Sequence, residues 1–160
     1  MRFAFCELNG RTGHEAGRAL LAQLYREETG QALPPIAKTH WGKPYFPDCP
    51  YHFSISHTPK HAFCVLSAEN IAIDAEELDR PIRLALADKI LSPSEKCQFD
   101  AASDKRRALL TFWVLKEAAA KLSGEGLRGY PNHTNFSLDD PRVQICGGCL
   151  VAIFQENPSN

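Results

Sequence analysis

Three carboxylates and one lysine are the residues whose types and spacing point most directly to chemistry. In Ile71-Ala72-Ile73-Asp74-Ala75-Glu76, strand alternation puts Asp74 and Glu76 on one face and Ile71, Ile73 and Ala75 on the other. Two carboxylates then stand about 6.6 Å apart along the strand. That separation lets their oxygens converge on one hard cation such as Mg2+, which favours carboxylate and phosphate oxygens. A half-buried strand with a polar face accounts for the same pattern. In Trp113-Val114-Leu115-Lys116-Glu117-Ala118-Ala119-Ala120-Lys121, Glu117 and Lys121 lie one helical turn apart on the side that carries Trp113. An ordinary surface ion pair worth a few tenths of a kcal/mol is the alternative here. The indole on the same stripe argues for partial burial, where an unpartnered carboxylate is costly.

His52-Phe53-Ser54-Ile55-Ser56-His57-Thr58 ends a strand with hydroxyls and an imidazole at its mouth. Such a cluster can hold phosphate oxygens, and it reads equally as a solvated strand end with a titratable histidine. Cys146-Gly147-Gly148-Cys149 is read as a two-residue hairpin turn with its cysteines facing across the strands, rather than as a redox or zinc motif. No phosphate loop, nucleophile elbow or dinucleotide fingerprint is present.

The elements that must carry these residues alternate in kind. A strand over 2–6 precedes a helix from His14, whose apolar stripe includes Ala16, Gly17, Leu20, Leu21 and Leu24 and which Gly30 ends. Pro34-Pro35 and Gly42-Lys43-Pro44 break the helical pattern. Strands over 51–56, 62–67 and 71–76 then follow closely enough to suggest an antiparallel meander. Asp79 can cap a helix reaching Ile90, and Ser92-Pro93-Ser94-Glu95 is a capping box. The strongest helix covers 103–122 and ends at Gly124, followed by strands over 134–138, 143–146 and 149–154. The fold class is therefore α+β: two similar halves, 1–76 and 77–160, each a helix on a three-stranded antiparallel sheet, forming one unit.

In identity, order and spacing, Gly42-Lys43-Pro44, Phe53-Ser54-Ile55-Ser56-His57-Thr58, Ile73-Asp74-Ala75-Glu76 and the run from Trp113 to Leu127 resemble the Sfp-type 4'-phosphopantetheinyl transferases. The resemblance covers residues 14–154. The small trimeric acyl-carrier-protein synthase type shares the carboxylate and lysine motifs, but its serine and histidine stretch follows the lysine helix, whereas here Ser56-His57 precedes Asp74. The resemblance implies a pseudo-twofold fold with the site at the junction of the halves, and transfer of 4'-phosphopantetheine from coenzyme A to a serine of an apo acyl or peptidyl carrier protein, releasing adenosine 3',5'-bisphosphate. It implies Asp74, Glu76 and Glu117 as Mg2+ ligands. Glu117 would also act as base, and Lys121 would neutralise the departing phosphate. Ser56, His57, Lys116, Lys43 and Arg18 would contact coenzyme A, the last two toward its 3'-phosphate. Ala72, Ser54 and Thr58 depart from the family pattern without removing any of these groups. A non-catalytic coenzyme A or carrier-binding module on the same fold is the competing reading.

With 160 residues, 44% of them hydrophobic, the chain can bury roughly two thirds of its unfolded surface without staples. Eighteen basic against nineteen acidic side chains give a formal charge of -1, so no global field draws it to nucleic acid or an anionic membrane. Six dispersed cysteines and no run of about 20 apolar residues predict a reduced, cytoplasmic protein, and the resemblance implies a monomer. Lys105-Arg106-Arg107 is the one dense basic run, a candidate for docking an acidic carrier or simply a solvated helix turn.

Overall fold

In the computed structural model of the chain, residues 1–124 and 135–156 are described. In chain order they form β1 (Arg2–Glu7), α1 (Gly13–Thr29), β2 (Ala37–Lys38), β3 (Pro44–Tyr45), β4 (His52–His57), β5 (His61–Ser67), β6 (Ile71–Glu77), α2 (Ala87–Ile90), α3 (Pro93–Ala101), α4 (Lys105–Ser123), β7 (Val143–Cys146) and β8 (Cys149–Gln155). The result is a mixed α+β fold with two three-stranded antiparallel sheets, ordered β1-β5-β4 and β6-β8-β7, and a small β2-β3 ribbon.

Local chemistry sets the helix ends, and those at Ser92, Gly30 and Gly124 fall where the sequence places them. Thr12 and Glu15 form a capping box ahead of α1, Ser92 and Glu95 form another ahead of α3, and Asp104 caps α4. Gly30 and Gly124 end α1 and α4 in the left-handed conformation, at φ 72° and 76°. The expected helix from Asp79 to Ile90 shrinks to a 3-10 turn, Leu84–Leu86, and the short α2. Pro81 disfavours helical backbone at Arg80, and the Arg80 amide closes a turn on the Glu77 carbonyl instead.

The expected meander is corrected by the register. β5 has two edges; β4 takes one and β1 the other, Arg2 opposite Leu66 through Glu7 opposite His61. β6 therefore crosses into the second sheet, pairing with β8 from Ile71–Gln155 to Glu77–Cys149. Sheet membership changes between Ser67 and Ile71, ahead of the expected break after residue 76. The expected strand over 134–138 is absent where it can be seen. Thr134 lies outside the described residues, and the Phe136 and Leu138 amides donate to the side chains of Glu95 and Gln98 on α3 rather than to a strand.

α1 packs Leu20, Leu21 and Leu24 on the Phe53, Cys64 and Leu66 face of the first sheet, and α4 packs Leu110, Val114 and Leu115 on Leu150 and Ala152 of the second. The opposite faces share one core, in which Phe63 and Val65 of β5 meet Ile71, Ile73 and Ala75 of β6 and Val151 of β8. Burying this apolar surface from both sheets at once is what ties them together.

Candidate active site

The free edge of β6 is the foundation of the site. Its outward amides have no backbone ladder on this side, and in a buried position they must be satisfied. Ser54 Oγ accepts the Ile73 amide and Ser56 Oγ the Ala75 amide, each at 3.2 Å, while the Ile73 carbonyl accepts Lys121 Nζ at 3.2 Å. The two sheets are therefore joined by side chains, and those side chains lead straight to Asp74.

Asp74 is buried, and its Oδ1 accepts Ser56 Oγ at 3.1 Å and Lys121 Nζ at 2.7 Å. Its Oδ2 is buried with no hydrogen-bond partner, a state that costs free energy unless a cation or donor completes it. Glu76 lies on the same face of β6, and its Oε1 is held by the Arg80 guanidinium and by Trp113 Nε1 at 3.1 Å. Arg80 also stacks over the Trp113 ring at 5.5 Å. One turn along α4 from Trp113, Glu117 faces the same region. Burial raises the Glu117 carboxyl above the usual glutamate range, Asp74 and Glu76 raise it further, and Lys121 and Arg80 pull it down. Glu76 is also raised, first by burial and then by Asp74, against the downward pull of Arg80 and Lys121.

The carboxylates share one electrostatic neighbourhood, but they do not close into a preformed ligand set. Among the described residues, the His, Cys, Asp or Glu side chains that do gather three ligand atoms within 4.8 Å of one another are instead His61, Glu77 and Cys149. Lys121 pairs with Asp74 and Arg80 with Glu76, so two of the three carboxylates are already matched by cations. The donors nevertheless suit a hard dication, since all are carboxylate oxygens and one buried oxygen lacks a partner.

Beside them opens a cavity of about 260 Å3, walled by Phe53, Ser54 and Ile55 of β4, Glu117 and Lys121 of α4, and the Trp41 to Pro44 turn. Lys43 lines it, with Nζ donating to the Leu122 carbonyl at 2.7 Å and to Asn70 Oδ1 at 2.9 Å, and partial burial lowers its pKa. The Lys43 stem runs along Gly124, where a Cβ would come within 3.1 Å of Lys43 Cδ. His57 sits exposed at the end of β4 with its ring against Gly13, the first residue of α1, a position where anions are favoured. Arg18 is half-buried on α1 and makes no hydrogen bond or ion pair among the described residues.

Other expected site residues stand elsewhere. Lys116 does not face the cavity: its ammonium, 2% exposed, pairs with the fully buried Glu95 at 2.7 Å. Position 116 falls about 100° around the helix from Glu117, which turns it toward α3. Ser56, expected on a phosphate, is buried, with its hydroxyl used by Asp74 and the Ala75 amide. Of the basic run, Lys105 caps the α3 carbonyls of Phe99 and Asp100 and Arg106 donates to the Leu78 carbonyl. Both hold the ends of neighbouring elements. Sequence reasoning missed Arg80 and Asn70, whose contacts with Glu76 and Lys43 arise from a turn and a strand end and leave no periodic signal.

The model of the 4'-phosphopantetheinyl transferase superfamily matches residues 70–149, half of the chain, from the start of β6 through α4 to the β7–β8 hairpin. The chain belongs to this superfamily. No curated protein sequence matches it. The matched span contains Asp74, Glu76, Trp113, Glu117 and Lys121, so the superfamily assignment rests on the segment that builds the acidic side of the cavity. Lys43 and Ser54, which line the cavity of this superfamily member, and Ser56, which holds Asp74, lie ahead of that span.

Proposed function

We propose that the chain transfers the 4'-phosphopantetheine group of coenzyme A to a serine hydroxyl of an apo acyl or peptidyl carrier protein, releasing adenosine 3',5'-bisphosphate, in the manner of the Sfp type. The observation that carries this reading is the buried, unpartnered Asp74 Oδ2 beside Lys121, at the edge of a cavity lined by Glu117, in a member of this superfamily.

Asp74, Glu76 and Glu117 would hold Mg2+, which when bound neutralises charge on the pyrophosphate oxygens. Lys121 is placed to trade its contact with Asp74 for the leaving phosphate, since its ammonium already lies in the plane between β6 and the cavity. Glu117 is the base: its carboxylate lines the cavity beside Lys121, where the incoming serine hydroxyl would enter. The serine oxygen forms its bond to phosphorus, the bond to the bridging oxygen of the nucleotide breaks, and the serine proton moves to Glu117. His57 at the start of α1, with Lys43 and Arg18, supports the coenzyme A phosphates. The two lobes that frame the cavity come from one chain, which supports a monomer as the working unit.

Intact-mass spectrometry of a panel of apo acyl and peptidyl carriers, each incubated with coenzyme A, Mg2+ and the chain, tests this. A phosphopantetheine increment on at least one carrier is expected. Calorimetric binding of coenzyme A without an increment on any carrier would replace the enzyme by a binding module.

A further inference from the structure

A second cluster lies on the opposite face of β6, away from the cavity. Strand alternation separates it: Ile71, Ile73, Ala75 and Glu77 share the face that packs on Phe63 and Val65, whereas Asp74 and Glu76 face α4. At this corner β5 begins, β6 ends and the β7–β8 hairpin turns, bringing together His61, Glu77 and Cys149 from positions far apart in sequence. Their ligand atoms all lie within 4.8 Å of one another. His61 Nδ1 is 3.1 Å from Glu77 Oε1 and 3.6 Å from Cys149 Sγ. A tetrahedral Zn2+ shell, with metal–sulfur about 2.3 Å and metal–nitrogen or –oxygen about 2.0–2.2 Å, sets ligand edges of about 3.4–3.6 Å.

One ring nitrogen faces both a carboxylate and a thiol; it cannot donate to the first while accepting from the second, and the Cys149 thiol also reaches the Gly147 carbonyl at 3.8 Å. As a ligand set, all three atoms are used. The surroundings hold them in place: Thr58 Oγ1 donates to Glu77 Oε1 at 2.5 Å and accepts the His61 amide at 2.9 Å, and Lys60 stands 3.9 Å from the other oxygen, Oε2. The Glu77 and His61 side chains are only 8% and 12% exposed, and Cys149 is fully buried. A second thiol, Cys146, stands directly opposite Cys149 in register.

We propose that His61 Nδ1, Glu77 Oε1 and Cys149 Sγ bind one zinc-class divalent ion that pins the start of β5 to the end of β6 and the start of β8, across the seam between the sheets. Carboxylate and thiolate balance the dication, the imidazole binds neutral with its proton on Nε2, and the thiol proton passes to solvent. A thiolate and an imidazole select a borderline metal over Mg2+. The site is independent of the catalytic reading.

The test uses the full chain, loaded with Zn2+, freed of loose metal by gel filtration and assayed by inductively coupled plasma mass spectrometry, with Co2+ as a spectroscopic substitute. About one zinc per chain is expected, along with a thiolate-to-Co2+ charge-transfer band. Cys149→Ser and His61→Gln should each lower retained zinc by roughly tenfold or more, and Asp74→Asn should retain it fully. Zinc well below one per chain, equal retention by Cys149→Ser and His61→Gln, or loss in Asp74→Asn would overturn the assignment. Should the variants not fold, wild-type Co2+ absorption decides: a charge-transfer band sustains the site and its absence at saturating Co2+ refutes it.

Discussion

Ser56 holds Asp74. Its hydroxyl donates to Asp74 Oδ1 at 3.1 Å while accepting the Ala75 amide at 3.2 Å, so one side chain both closes the edge of β6 and aims the carboxylate. Ser54 performs the first task alone, on the Ile73 amide. Ser54→Ala and Ser56→Ala should therefore each cost about 1–3 kcal/mol by leaving a buried amide unpaired, read as a shift in urea midpoint. Ser56→Ala should in addition weaken Mg2+ binding by calorimetry. Equal Mg2+ affinity in wild type and Ser56→Ala would show that Asp74 is positioned by something else.

Glu117 connects pH to stability. Its carboxyl lies above the usual 4.5, chiefly through burial, so between that value and its raised pKa the folded chain holds a proton that the unfolded chain has released. Stability from this group is thus lost as pH rises through the window. In Mg2+-free buffer, Glu117→Gln should raise Tm at neutral pH and make no difference near pH 4. Adding Mg2+ should raise the wild-type Tm and leave the variant unmoved. Thermal scans across pH, with and without Mg2+, check all three.

Lys116 and Glu95 form a buried pair, so removing one partner strands a charge. Lys116→Met should destabilise by about 3–5 kcal/mol, and Lys116→Met with Glu95→Gln should recover much of that loss. Urea titrations measure it. A rise in KM for coenzyme A at unchanged stability would return Lys116 to the substrate.

Gly17 sits inside α1, where alanine would be favoured by about 0.5–1 kcal/mol on propensity alone. A Cβ there would meet Ile55 Cγ2 at 2.4 Å, pressing on the β4 residue that walls the cavity. Gly17→Ala should lower Tm and coenzyme A affinity. Removing Cγ2 with Ile55→Ala leaves Cβ at 3.7 Å, so the double variant should be more stable than the two single losses sum to.

Local signals in the sequence located the Ser92–Glu95 capping box, the Gly30 and Gly124 helix ends, the Gly147-Gly148 hairpin and the faces of β6 and α4, because each depends on neighbours a few residues away. Long-range partners were not legible. Nothing near Arg2 says that β1 claims the second edge of β5, and without that fact β6 looks like the third strand of a meander. The carboxylate motif was legible on similarity of pattern. The cations that divide its charge were legible only in part: Lys121 stood out beside Glu117, but its pairing with Asp74 is a contact from α4 to β6, and Arg80 reaches Glu76 across a turn. Lys116 misled because it adjoins Glu117 in sequence while facing α3 in space.

The most direct test of the account is the mass of an accepted apo carrier after one incubation with coenzyme A, run in parallel with Mg2+, with chelator, and with Asp74→Asn in place of the wild-type chain. The account predicts the phosphopantetheine increment in the first sample alone. An increment of equal yield from Asp74→Asn, or in chelator, would contradict the role given to Asp74 and its unpartnered oxygen.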